Sequence, residues 1–148
     1  MRLNDLLLPD TRQGMFVTAV YGILDPNTGV FTYANSGHNP PLWIRRDGNI
    51  ERLTRTGIAL GVLDGTTRTE RSIELQSGEC LLLYTDGLTE AFSPTGEIFG
   101  EERLQDTIRK ADCRSASHLL RAIDKALAEF VETEALADDL TMLIVRRA

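Results

Sequence analysis

The chain has 148 residues, 42% of them hydrophobic, and 16 Lys and Arg against 22 Asp and Glu leave a formal net charge of −6. That length suits one domain, residues 1–148, with a two-layer core. The acidic balance repels phosphate backbones and anionic lipid, which argues against nucleic-acid and membrane-surface roles.

The first residues, "RLNDLLLPDTRQG", read as the tail of a helix running into a loop, so the chain is expected to open in the middle of a fold. Met1-Arg2-Leu3-Asn4-Asp5 starts neither a signal peptide nor a transit peptide. No stretch approaches the roughly twenty apolar residues of a membrane span, and a cytoplasmic location is expected. "MFVTAVYGILD" is rich in β-branched and aromatic residues, and Pro26-Asn27-Thr28-Gly29 supplies turn chemistry before "VFTYANSGH", which predicts a hairpin. "PLWIRR" and "IERLT" flank Asp47-Gly48-Asn49 as a second hairpin. "TERSIEL" alternates, and Ser77-Gly78 turns the chain into the apolar strand "ECLLLYT".

Two helices follow. Gly100 to Lys110 carries Glu101 and Glu102 at its start and Arg109 and Lys110 at its end, in keeping with a helix dipole. From Ser115, apolar residues from Leu119 to Val131 recur at helical spacing opposite Arg121, Lys125 and Glu129, so this amphipathic helix should lie on a sheet. "LTMLIVRR" closes the chain as a strand whose unbroken apolar run predicts a central position. Cys80 and Cys113, without CxxC spacing, read as free thiols.

Two acidic sites stand at strand ends. Asp86-Gly87 ends the "CLLLY" run, and Asp138-Asp139 immediately precedes the last strand. Asp86 alone reads equally well as a cap on a short helix, with Gly87 easing the turn, and paired acids alone can be a solvated helix end. Together they could meet around a hard cation with oxygen ligands, and the scarcity of histidine favours magnesium or manganese over zinc.

Four segments, "YANSGHNPPL", "GIALGV", "GECLLLYTDGLTEA" and "ADDLTMLIVR", resemble in order the SpoIIE/RsbU-like branch of the PPM, or protein phosphatase 2C-like, serine/threonine phosphatases. The resemblance implies an α+β fold, the α-β-β-α sandwich of two antiparallel sheets covered by helices. It also implies Asp86 and Asp138 as metal ligands, with Gly87 and Asp139 behind the ligands or at the site edge, and two Mn2+ or Mg2+ ions in the complete domain. By the implied mechanism, the ions bind and deprotonate a water that attacks phosphoserine or phosphothreonine in line. His38 stands where more distant relatives have Asp. It reads first as a loop histidine bonded to nearby backbone, with a contact at the site edge as the alternative. His118 reads as a solvated helix residue and Trp43 as packing in or beside a sheet.

The family's early Asp-Gly-type metal motif has no counterpart between Met1 and Gly14, so the chain resembles the C-terminal two thirds of the domain, incomplete at its N-terminus. Little phosphatase activity is expected of these residues alone. Uncovered strand edges would favour self-association. The implied substrate is a phosphorylated regulatory protein, a STAS-domain anti-sigma-factor antagonist. The competing reading is an inactive pseudophosphatase fragment serving as a protein-binding module.

Overall fold

Alternating side chains and short turns build two antiparallel sheets. The computed structural model describes residues 3–11, 14–111, 113–132 and 138–148. In chain order the elements are α1 (Leu3–Leu7), β1 (Ala19–Leu24), β2 (Val30–Ser36), β3 (Leu42–Ile44), β4 (Ile50–Arg52), β5 (Arg71–Glu74) and β6 (Cys80–Tyr84). A single 3-10 turn (Asp86–Leu88), α2 (Gly100–Lys110), α3 (Ala116–Val131) and β7 (Met142–Arg146) complete it. The strand orders are β1-β2-β5 and β4-β3-β6-β7, and the chain falls into two compact units with one sheet each.

The first unit comprises Met1–Pro40 and Leu53–Leu75. Its hairpin turns where the Asp25 carboxylate accepts the Asn27 N–H at 2.9 Å, an Asx turn that sets β1 against β2 with Leu24 opposite Phe31. Phe31 and Tyr33 are buried on one face of β2, their rings stacked at 5.8 Å. Gly22 makes room for them, because a Cβ there would run into the Phe31 ring. The other face leaves Tyr21 and Ile23 exposed. Buried Asn4 ties α1 to the 57–68 loop: it donates to the Leu63 carbonyl at 3.0 Å and accepts from the Gly61 N–H and from Arg68.

In the second unit, Pro41–Arg52 and Gln76–Ala148, α2 and α3 cover one face of the four-stranded sheet. Leu42, Ile44, Cys80, Leu82 and Tyr84 from the strands meet Leu104, Ile108, Leu119, Ile123 and Leu127 from the helices. In α3 the helical periodicity identified Leu119, Ile123 and Leu127, which are buried, while Leu120 of the same apolar set is exposed. Ser115 caps α3, its hydroxyl accepting the His118 N–H at 3.1 Å, and His118 itself is exposed as expected. Cys80 and Cys113 are free thiols. Burial pushes the Cys80 thiol up to about 11, which leaves it a poor nucleophile.

One expectation fails. The apolar run of β7 predicted a central strand, but β7 is the sheet's edge, paired only with β6 among the described residues, and Leu143 on it is exposed. Composition reports how apolar a strand's faces are, while its place in the sheet is decided by which neighbour its backbone finds. The turn at Ser77-Gly78 forms as expected and carries the chain from one sheet to the other: β5 pairs with β2, whereas β6 pairs with β3 and β7.

Tyr84 carries a cost inside the core. Its hydroxyl is buried with no hydrogen-bond partner among the described residues, and burial, followed by the Glu101 charge, pushes its pKa up to about 12. Tyr84→Phe is therefore expected to hold or raise stability by up to about 1 kcal/mol, since it removes an unsatisfied polar atom while keeping the ring. A urea midpoint lower than that of the parent protein would show that the hydroxyl contributes a bond after all.

Candidate metal centre

The end of β6 and the start of β7 are joined by one threonine. Register places Tyr84 opposite Met142, and the Thr85 N–H continues the ladder to the Thr141 carbonyl at 3.1 Å. The Thr85 hydroxyl accepts the Thr141 N–H at 2.9 Å and donates to the Asp139 carbonyl at 3.0 Å. Thr85 thus closes a three-bond clasp that holds the 139–141 backbone beside the TDG turn. Sequence reasoning weighed the acids and passed over this residue, although a threonine stands next to the acid in "YTDG" and shortly after the pair in "DDLT".

Gly87 allows the two segments to close. It is buried, and a Cβ there would lie 2.7 Å from the Asp139 carbonyl oxygen and 3.2 Å from that of Asp138. Only a residue without a side chain permits that approach. Asp86 opens the 3-10 turn, whose N-cap position belongs to Thr85, without a side-chain capping bond. The helix-cap reading of Asp86 is therefore replaced by an acid at the first position of the turn.

Asp86, Asp138 and Asp139 are all exposed at this end of the sheet, and none has a cationic partner among the described residues. The Asp138 Oδ1 accepts the Asp139 N–H at 2.7 Å, which fixes one carboxylate at the mouth of the loop. Ala137, the first residue of the "ADDLTMLIVR" motif, lies outside the described residues. Unneutralised carboxylate oxygens on a braced backbone are the donor type that hard divalent ions take. Among the described residues, however, no three His, Cys, Asp or Glu side chains gather into a metal-sized group, so the donor chemistry fits while the number of ligands is partial.

His38 lies in the first unit, half-buried. Its ring Nδ1 pairs with the Thr18 hydroxyl at 3.0 Å, and its backbone exchanges bonds with the Asn35 side chain, the N–H donating at 2.9 Å and the carbonyl accepting at 3.2 Å. That supports the loop-histidine reading, with a side-chain partner for the ring where backbone had been expected. Trp43 lies in β3, as expected, and its Nε1 donates to the Glu79 carboxylate at 2.9 Å.

A family model described as Stage II sporulation protein E (SpoIIE) matches residues 1–148. Protein IcfG of Synechocystis sp. is 37% identical over 133 residues, which is 90% of this chain and 21% of that protein. The phosphoserine phosphatase RsbU of Bacillus subtilis is 27% identical over 146 residues, covering 98% of this chain and 43% of that protein. Among solved structures, the SiaA-PP2C domain of Pseudomonas aeruginosa superposes with a TM-score of 0.76 at 23% identity, over 96% of this chain and 56% of that one. The chain therefore spans less than half the length of these two curated relatives. Two antiparallel sheets with helices match the PP2C-type α+β fold. On motif order, fold and a family match along its whole length, the chain belongs to the SpoIIE family, the SpoIIE/RsbU-like branch of the PPM phosphatases.

Proposed function

We propose that the chain is the C-terminal part of a metal-dependent protein phosphatase that hydrolyses phosphoserine or phosphothreonine on a regulatory protein. The observation that carries the reading is the Thr85 clasp with its glycine contact, which sets Asp86 and Asp138 at one end of one sheet. Asp86 and Asp138 would hold Mn2+ or Mg2+, and Asp139 would orient the loop through its backbone. A bound divalent ion supplies Lewis acidity and makes water a nucleophile near neutral pH. The residues of this chain contribute placement: β6 and β7 fix the carboxylates, Thr85 holds the loop backbone, and Gly87 keeps the gap between the segments small. No serine or cysteine nucleophile is needed, which agrees with the inert, buried Cys80.

A cytoplasmic STAS-domain anti-sigma-factor antagonist is the substrate we favour. Its support is the likeness to RsbU, whose own description is phosphoserine phosphatase. No helix among the described residues is long and apolar enough to cross a membrane. The partial ligand set favours one second reading, a module that docks a partner without turning it over.

Titration with Mn2+, followed by its paramagnetic resonance signal, separates the two. Metal binding should weaken by about tenfold or more in Asp86→Asn and in Asp138→Asn, because loss even of outer partners of a metal site costs that much. Unchanged affinity in both variants would remove the shared-ion reading and leave the docking module.

A further inference from the structure

Five arginines meet at the opposite end of the same sheet. Arg45, Arg46, Arg109, Arg114 and Arg146 line one cleft of about 630 Å³, with Asp47 as the acid among the described residues of its lining. Such a gathering is unexpected in a chain of net charge −6, because guanidinium groups repel one another unless an anion lies among them. Every basic residue of the lining is arginine, whose planar fork matches phosphate in a bidentate way that lysine does not.

Some of this charge is already neutralised. Arg45 is paired with Glu51 and Glu79 and lies 3.9 Å over the Trp43 ring, so it forms a rigid wall. Arg109 is paired with Asp106, and it offsets the carbonyls at the C-terminal end of α2 that would otherwise oppose an anion there. Arg114 is engaged as well, which leaves two guanidinium groups. Arg146 spends its Nε on the Cys113 carbonyl at 3.2 Å, which aims the fork and leaves its terminal nitrogens without a partner among the described residues. Arg46, exposed on the turn between β3 and β4, has neither an ion pair nor a hydrogen bond among them.

We propose that this cleft is a second ligand site, taking a compact molecule that carries two linked phosphate groups. Two unneutralised forks from different elements ask for two anionic centres, and the volume exceeds what a single phosphate fills. Arg146 sits opposite Cys80, the first residue of β6, whereas Asp86 follows its last. The two sites are therefore separated by roughly 15 Å or more of strand. Binding here requires no divalent ion and leaves the carboxylate end free.

The test is a nitrogen-15 NMR titration of the chain with inorganic pyrophosphate, with EDTA present and ionic strength held constant. Saturable shifts are expected at the amides of Gly48, Gly78 and Arg146. Affinity should fall by about tenfold or more in Arg46→Gln, which removes charge-assisted bonds from an exposed side chain without a structural partner. Asp86→Asn should bind as the parent does. Absence of saturable shifts, the same affinity in Arg46→Gln, or shifts confined to residues 85–89 would each overturn the proposal. So would a polyglutamate peptide shifting these amides where pyrophosphate does not, since the occupant would then be an acidic protein segment. Because the titration is free of metal, its failure leaves the Asp86 reading intact, and failure of the Mn2+ titration leaves this one intact.

Discussion

Gly87→Ala is expected to lower stability by about 1–3 kcal/mol and to weaken Mn2+ binding in the same protein, although the change adds one methyl group. The methyl carbon would be placed 2.7 Å from the Asp139 carbonyl oxygen and 3.1 Å from its carbon. Both are backbone atoms, held by the Thr85 hydroxyl and the first pairs of β7, so no side chain can swing aside. Relief requires the 138–141 backbone to retreat from the TDG turn, carrying Asp138 away from Asp86. Urea unfolding measures the first effect and Mn2+ titration the second. A protein that keeps both its midpoint and its metal affinity would show that the loop can give way, and the close approach would lose its meaning for the site.

The second large effect is expected at Glu79, far from the acids. Its carboxylate is 4% exposed and accepts three bonds: from Arg45 Nε at 2.8 Å, from Trp43 Nε1 at 2.9 Å and from the Gln76 N–H at 3.0 Å. Glu79→Ala removes the acceptor for all three and leaves Arg45 beside an apolar wall. A loss of about 3 kcal/mol is expected, at the lower end for a broken buried pair because Arg45 itself is partly solvated. Burial alone would raise the Glu79 pKa. The Gln76 N–H, the Arg45 guanidinium and the Trp43 indole outweigh it and hold the carboxyl below its ordinary 4.5. A depressed folded pKa means that this stabilisation is present above about pH 4.5 and is lost as pH falls through the lower folded value. Glu79→Gln should therefore show a smaller drop in stability than the parent protein between pH 5 and about pH 3. Parallel acid limbs for the two proteins would mean that Glu79 does not carry the effect.

How much of this was legible in the sequence differs from element to element. The two longer helices were readable because the end charges of α2 and the 3.6-residue periodicity of α3 are local signals. Both hairpins followed from Pro26 to Gly29 and from Asp47 to Asn49, where turn chemistry is also local. Strand order was not readable: the central place expected of β7 was wrong and the crossing between sheets at Ser77-Gly78 went unforeseen, and both concern which strand pairs with which. That choice is made between residues far apart in the chain. The acids at strand ends were visible as types, whereas the clasp joining them depends on a hydroxyl 54 residues from the carbonyl it meets. The arginine cleft was hidden for the same reason, since its lining comes from four separate stretches of chain.

The edge position of β7 gives Thr85 a further importance. A strand with a neighbour on both sides has its alignment fixed twice, but among the described residues β7 is aligned by β6 alone. A slip by one residue would turn the apolar set to the wrong face and is strongly opposed. A slip by two would keep every side chain on its face, and the apolar run of Met142 to Val145 offers little resistance to it. Such a slip would carry Asp138 along the sheet by about 7 Å. The Thr85 hydroxyl forbids it, because its bonds to the Thr141 N–H and the Asp139 carbonyl can both form in only one alignment. That single oxygen acts as a ruler between the strands, converting a pairing that hydrophobicity leaves degenerate into one separation between two carboxylates.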